Sequence, residues 1–192
     1  MTSPKSLDDR LNMLSRQIVR ARALYDLWWL CVAKEHRESY RPAFERYGDL
    51  FRFLDHGLLV ATVVQASIPF DRNKQALSLL RLVREVAADG ALTRSDREAL
   101  ISRVNTLDDA VQGIRMLRHK AFAHLSHAMT YDEVFSAARV RPMDIRGAID
   151  EALAVINVLR AAKGLEPVDR NEFPQMDGLD LLKDVSQWIE AE

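Results

Sequence analysis

The chain of 192 residues is poor in residues that cross-link or interrupt a polypeptide: it has one cysteine, seven glycines and six prolines. The single cysteine, Cys31, excludes an intrachain disulfide, and its place after Trp28 and Trp29 predicts a buried structural thiol rather than a nucleophile. Charged and apolar residues are mixed throughout, which favours a folded chain over a disordered one. We expect one domain with a tail at this length.

Long apolar runs are also absent. Residues 1–9 contain no apolar stretch of the kind that marks a secretory signal. The longest run without Asp, Glu, Lys or Arg covers residues 56–70, fifteen positions, whereas a membrane span needs about 20 apolar residues. The sequence therefore predicts a cytoplasmic protein that does not associate with a membrane.

The net charge of −1 hides an uneven distribution. Residues 165–192 hold eight acidic and two basic side chains, a net charge of −6, which leaves +5 on residues 1–164. The first segment is predicted to be the helical domain and the second an acidic linker with a C-terminal helix. A modestly basic body is compatible with an anionic ligand. The acidic helix either masks a basic cleft or completes the core.

Apolar residues recur at helical spacing along most of the chain, and no segment alternates as a strand does. The clearest helix covers residues 7–32, with a cap at Ser6 and Asp9 and a regular apolar seam. Caps, prolines and glycines predict further helices from Pro42 to about 68, over 75–87, from Ser95, from 107 to about 125, from Thr130, from Pro142 to Gly164, and from Asp177. The fold class is an all-α bundle.

The stretch from Arg118 to His124 is the best candidate for chemistry. Three of the five histidines lie between residues 119 and 127. A permanent cation near a base that titrates close to neutrality suits a phosphodiester, because arginine stabilises the charged phosphorane while histidine moves protons. The alternative is a basic, solvated helix face without a function.

The chain resembles the HEPN superfamily, and within it the branch associated with abortive infection, of which AbiU2 is a member. The resemblance rests on Arg118-His119-Lys120-Ala121-Phe122-Ala123-His124 and on the earlier segment Leu77-Ser78-Leu79-Leu80-Arg81-Leu82, and it covers about residues 10–163. The chain departs from the pattern at His119, where Asn or Asp is common, and at Ser126, where Asp or Tyr is common. Many HEPN proteins are metal-independent ribonucleases, while others are inert scaffolds or RNA-binding modules.

This resemblance implies an endoribonuclease of phage defence, or the toxin of a toxin–antitoxin pair, that requires no cofactor. RNA would be cleaved by attack of the ribose 2′-OH. His124 would act as general acid or base, Arg118 would stabilise developing charge, and His119 would orient groups or transfer a second proton. Lys120, Arg115 and His127 are candidate substrate-binding residues. An antitoxin or regulatory protein is a further expected partner.

Two alternatives concern how the site is assembled. Residues six apart on an ideal helix point about 120° away from each other, so Arg118 and His124 do not converge on a straight helix. A homodimer would bring two copies of the stretch into one cleft, as in related HEPN proteins. A metal site built from His119, His124 and His127 is the competing reading, although no carboxylate lies between Asp109 and Asp132. The sequence thus predicts no metal.

Overall fold

A computed structural model describes residues 5–123, 131–170 and 173–191. Within these ranges the chain forms ten α-helices and no β-strand, which confirms the all-α class. A 3₁₀ turn, Ile68–Phe70, follows the fourth helix, and a π-helical segment, Leu117–Ala123, follows the seventh. The helices are α1 (Leu7–Val32), α2 (Lys34–Ser39), α3 (Arg41–Arg46), α4 (Gly48–Ser67), α5 (Leu79–Ala88), α6 (Arg94–Asn105), α7 (Asp108–Met116), α8 (Tyr131–Ala138), α9 (Pro142–Ala162) and α10 (Phe173–Ala191).

Helix α1 forms the centre of the bundle. Ser6 accepts a hydrogen bond from the Asp9 amide at 3.1 Å, and the Asp9 carboxylate accepts one from the Ser6 amide at 3.2 Å, so the predicted capping box is present. The helix packs against α4, α9 and α10. Its predicted seam is buried: Leu11, Leu14, Ile18, Ala21, Tyr25 and Trp28.

A buried ionic group joins α1 to α9. Arg22 donates to both carboxylate oxygens of Asp26, at 3.0 and 2.9 Å, and also to Asp150 on α9. Burial alone would lower the pKa of Arg22, but the hydrogen bond and charge of Asp26, followed by those of Asp150, raise it. The guanidinium therefore stays charged inside the bundle and fixes the register of the two helices.

Several predicted helix boundaries were wrong, because local turns and breaks interrupt segments whose apolar residues are spaced as in a helix. The helix expected from Pro42 to about residue 68 is divided into α3 and α4, since Tyr47 leaves the helical conformation between them. The helix expected over 75–87 begins only at Leu79, after a loop held by side-chain turns at Asp71 and Asn73. The short α2 was not predicted.

Two further helix starts also lie elsewhere than the sequence indicated. Helix α6 is capped by Thr93, whose hydroxyl accepts from the Asp96 amide at 3.1 Å, so Ser95 lies inside the helix and is not its cap. Helix α10 begins at Phe173 rather than after Asp177. Each end of α9 is as predicted, with Pro142 in its first turn and Gly164 at a positive φ of 68° just beyond it.

The acidic C-terminal segment is attached to the bundle at two places. Arg160 donates to the Glu166 carbonyl at 2.6 Å and to Asn12 at 2.6 Å, and Asn157 exchanges two hydrogen bonds of 2.9 Å with the Val168 backbone. Helix α10 then packs against α1 and α3, where Leu182 is buried in a small apolar cluster with Leu30, Ala43 and Phe44. These contacts favour the core-completing role of the helix over the masking role.

The outer side of α4 exposes several large apolar side chains: Leu50, Phe53 and Val64. By length and composition, residues Gly48–Phe70 could cross a membrane, yet core helices of water-soluble proteins pass the same test. The run without charged residues, 56–70, is shorter than this segment because Asp55 precedes it. The Asp55 carboxylate accepts a hydrogen bond from Trp28 Nε1 at 2.8 Å. Only 33% of the most apolar window is buried. The face turned away from α1 is apolar at heptad spacing: Leu50, Phe53, Gly57, Val60 and Val64.

Gly113 is the closest backbone approach in the part of the fold that carries the Arg118 stretch. A Cβ atom added to it would collide with the Ala138 carbonyl and would lie 2.6 Å from Cγ2 of Val140. Glycine is therefore required where α7 meets the end of α8.

We predict that Gly113→Ala lowers the free energy of unfolding by about 1–3 kcal/mol, because overpacking outweighs the better helix propensity of alanine. The matched control is Gly147→Ala, since Gly147 lies exposed inside α9 with nothing within 4 Å of the added Cβ. That substitution should raise the free energy by up to about 1 kcal/mol. Urea unfolding of the three proteins measures both values. A Gly113→Ala protein as stable as the wild type would contradict this packing.

Candidate active site

Residues 118–123 of the Arg118 stretch lie in the π-helical segment Leu117–Ala123, directly after α7. A π-helix bonds each amide to the carbonyl five residues earlier, and such segments are rare and often occur at functional sites. Over residues 118–123 the chain therefore does not continue α7 as a regular α-helix. The angle expected from ideal α-helical spacing does not apply to this segment.

Arg118 reaches back to the end of α4. Its Nη1 atom donates to Ser67 Oγ at 3.0 Å and lies 4.0 Å from Oδ2 of Asp71. The Ser67 hydroxyl is buried and in turn donates to the Val64 carbonyl at 2.7 Å. The Arg118 side chain is about one-third exposed, so these partners hold its Nη1 atom while part of the side chain stays in contact with solvent.

Arg115 lies one turn earlier and also contacts this region. Its Nη2 atom donates to the carbonyl oxygen of Phe70, in the 3₁₀ turn that follows α4. Burial lowers the pKa of Arg115, and the nearby positive charge of Arg72 lowers it further. Arg115 thus has a structural partner, and a role in binding substrate stays a prediction.

The other predicted site residues are distributed differently. His119 and Lys120 are exposed to solvent. His124 and His127 lie outside the described residues. Within the described ranges, no group of three His, Cys, Asp or Glu side chains is placed to hold a metal ion.

Sequence analysis missed a basic depression beside this site. It is open, with a volume of about 580 Å³, and four of its lining side chains are cationic: Arg72, Lys74, Arg81 and Arg84. Asp71 lines it as well, and therefore connects it to Arg118. The spacing of cations on both sides of the Leu77-Ser78-Leu79 segment was the available signal, but only the folded loop brings them together.

An all-α bundle with an arginine and histidine stretch after its central helices defines a protein of the HEPN type. A family model for HEPN AbiU2 matches residues 4–162. The chain therefore belongs to the AbiU2 family of the HEPN superfamily. No curated protein and no solved structure matches the chain. Family membership suggests a domain of the abortive-infection or ribonuclease type.

We predict that Arg115→Ala lowers the free energy of unfolding by about 1–3 kcal/mol, because the Phe70 carbonyl loses its donor in a buried setting. The control is Arg94→Ala, which breaks an exposed pair with Glu98 and should change the free energy by less than about 0.5 kcal/mol. Chemical denaturation measures both. Equal free energies of unfolding for the two variants would contradict a structural role of Arg115.

Proposed function

We propose that the protein is a metal-independent endoribonuclease that acts in the cytoplasm, in phage defence or as the toxin of a toxin–antitoxin pair. The observation that carries this proposal is the placement of Arg118, whose Nη1 atom is held by Ser67 and Asp71 while part of the side chain stays in contact with solvent. A guanidinium held in this way can meet a phosphate with its remaining N–H donors. The family to which the chain belongs supports the same class of activity.

The chemistry requires only proton transfer and charge stabilisation. The ribose 2′-oxygen attacks the adjacent phosphorus, the bond from phosphorus to the 5′-oxygen breaks, and a 2′,3′-cyclic phosphate and a 5′-hydroxyl result. His124 is the proposed acid or base and His119 the second proton-transfer or orienting group. Arg118 stabilises the negative charge that develops on the phosphate oxygens. Lys120 and His127 are proposed contacts to neighbouring parts of the RNA.

An inactive RNA-binding or protein-interaction module is the second candidate. It is favoured by His119, which stands where asparagine or aspartate is common in proteins that this chain resembles. Binding of RNA without cleavage would distinguish this function from the first. An antitoxin or regulatory protein remains a proposed partner in either case.

We predict that Arg118→Ala and His124→Ala each reduce cleavage of total RNA or tRNA by about two or more orders of magnitude, the range for removing an oxyanion stabiliser or a general acid or base. EDTA should leave the wild-type activity unchanged, and the products should carry 2′,3′-cyclic phosphate ends. Arg20→Ala, an exposed arginine of α1, is the matched control.

Circular dichroism and thermal unfolding establish whether these variants keep the fold. Activity that EDTA removes and a divalent metal restores would contradict the metal-independent mechanism. Cleavage by a folded double variant, Arg118→Ala with His124→Ala, at the wild-type rate would contradict the assignment of the site.

A homodimer with a shared cleft is also proposed. The α1 seam and Trp28 are buried within one chain, and the Trp29 ring stacks on Tyr25 with centroids 6.1 Å apart, so none of these requires a partner. The outer face of α4 now supports the proposal. Phe53 is 75% exposed there, and the heptad spacing from Leu50 to Val64 suits pairing with a second α4.

The position of this face relative to Arg118 would let a dimer form one active-site cleft from both chains. Ser67, which holds Arg118, is the last residue of α4. Parallel pairing of two α4 helices about a two-fold axis along their length would be isologous and would bring their C-terminal ends, and with them both Arg118 side chains, to the same end of the interface. Each chain would then contribute to one cleft.

We predict that Phe53→Glu converts a dimer into a monomer in sedimentation and lowers cleavage, because a charge would be buried at the interface. Leu181→Glu is the matched control, since Leu181 is 64% exposed on α10. Mixing inactive Arg118→Ala and His124→Ala proteins should restore part of the activity. A fully active monomer, or association of α4 with detergent or lipid instead of a second chain, would contradict this assembly.

A further inference from the structure

The basic depression beside Arg118 combines three features of an anion-binding site. The first is its charge, since four cationic side chains and one acidic side chain line it. Two of the cations are already paired: Arg72 with Asp108, and Arg81 with Glu85 at 2.9 Å. Lys74 and Arg84 are exposed and have no ion-pair partner among the described residues. Both are therefore free to meet an anion.

The second feature is the N-terminus of α5, which opens into the depression. Ser78 is the N-cap and Leu80 and Arg81, in the first turn, line the wall. Backbone N–H groups of a first turn have no partner within the helix and carry partial positive charge. Acidic side chains normally occupy such positions, but the first turn of α5 contains none. This end of the helix is left without its own counter-charge.

The third feature is the Ser78 side chain itself. Ser78 is only 6% exposed and lines the depression, yet its hydroxyl makes no capping hydrogen bond and has no partner within the described part of the chain. A largely buried serine whose hydroxyl forms no internal hydrogen bond among the described residues can offer that hydroxyl to a group in the depression that it lines. A ligand oxygen in the depression would accept from it and from the adjacent amides.

We propose that this depression binds a second, uncleaved phosphate of the same RNA strand that Arg118 contacts. That the ligand is an RNA strand rests on the proposed ribonuclease function. That the depression binds a phosphate rests on its positive charge, on the free amides of α5 and on the Ser78 hydroxyl. Asp71 lies at the boundary, lining the depression and standing 4.0 Å from Arg118 Nη1, so one strand can run from one position to the other. Contacts of this kind position a strand without reading its sequence.

The test is equilibrium binding of a fluorescent, single-stranded oligoribonucleotide whose 2′-hydroxyls are methylated. Such a strand cannot be cleaved by 2′-OH attack, so binding is measured apart from activity. Lys74→Gln with Arg84→Gln should weaken binding equally for strands of different sequence. The slope of log affinity against log salt concentration should flatten by about 0.7, since one phosphate contact to a single strand is lost.

Arg16→Gln with Arg20→Gln is the control, because it removes two exposed, unpaired arginines of α1 and gives the same net charge. A flattened slope in the first variant alone supports the proposal, and an equal effect in both variants overturns it. If inorganic phosphate binds the wild type and the oligonucleotide does not, the depression binds a free phosphoryl compound. That result would overturn the proposal that it binds an RNA strand. Failure of the wild type to cleave ordinary RNA would reject the ribonuclease function alone.

Ser78→Ala separates the ligand role of Ser78 from a structural one. Because this hydroxyl caps nothing and forms no internal hydrogen bond within the described residues, its removal should leave the melting temperature unchanged while weakening binding of the methylated oligonucleotide. A lower melting temperature with unchanged binding would overturn the role of Ser78 in this site. Because neither measurement involves cleavage, the result stands whether or not the protein is an enzyme.

Discussion

Burial of the α1 seam is the constraint on which the other parts of the molecule depend. The seam needs apolar partners on more than one side, and α4 and α9 supply them. Arg22 then fixes the register between α1 and α9 through Asp26 and Asp150, because a buried guanidinium must keep its carboxylates. With α4 held along α1, the position of its last turn is determined, and that turn is where the candidate active site begins.

Two arginines form hydrogen bonds with the last residue of α4 and with the 3₁₀ turn that follows it. Arg115 binds the Phe70 carbonyl and Arg118 binds Ser67, so α7 and the π-helical segment are tied to the same short piece of chain. A change in the core is therefore transmitted to the orientation of Arg118 through a few hydrogen bonds. The loop that follows carries Asp71 and Lys74 into the basic depression. One loop thus serves the core, the proposed catalytic arginine and the proposed strand-binding surface.

Sequence patterns predicted the parts of the fold that local physics determines. Helices α1 and α9 were found because their apolar spacing, capping residues and terminal Gly164 all agree. The break at Tyr47, the late start of α5 and the π-helical segment were not found. Side-chain turns at Asp71 and Asn73 delay the start of α5, and apolar spacing alone does not distinguish a continuous α-helix from an interrupted or π-helical one. Arg118 could be singled out from its neighbours in sequence. Ser67 and the depression could not, because their contacts to the motif span the chain.

The hydrogen bonds of α1 also set an order for folding during synthesis. Arg22 bonds a residue 128 positions later and Arg160 bonds Asn12, 148 positions earlier. A nascent chain that has not reached α9 leaves one side of α1 in water, and such long sequence separations slow folding and expose apolar surface to aggregation. The bundle can close only after the ribosome has synthesised α9. Until then the apolar seam of α1 lacks one of the two helices that bury it.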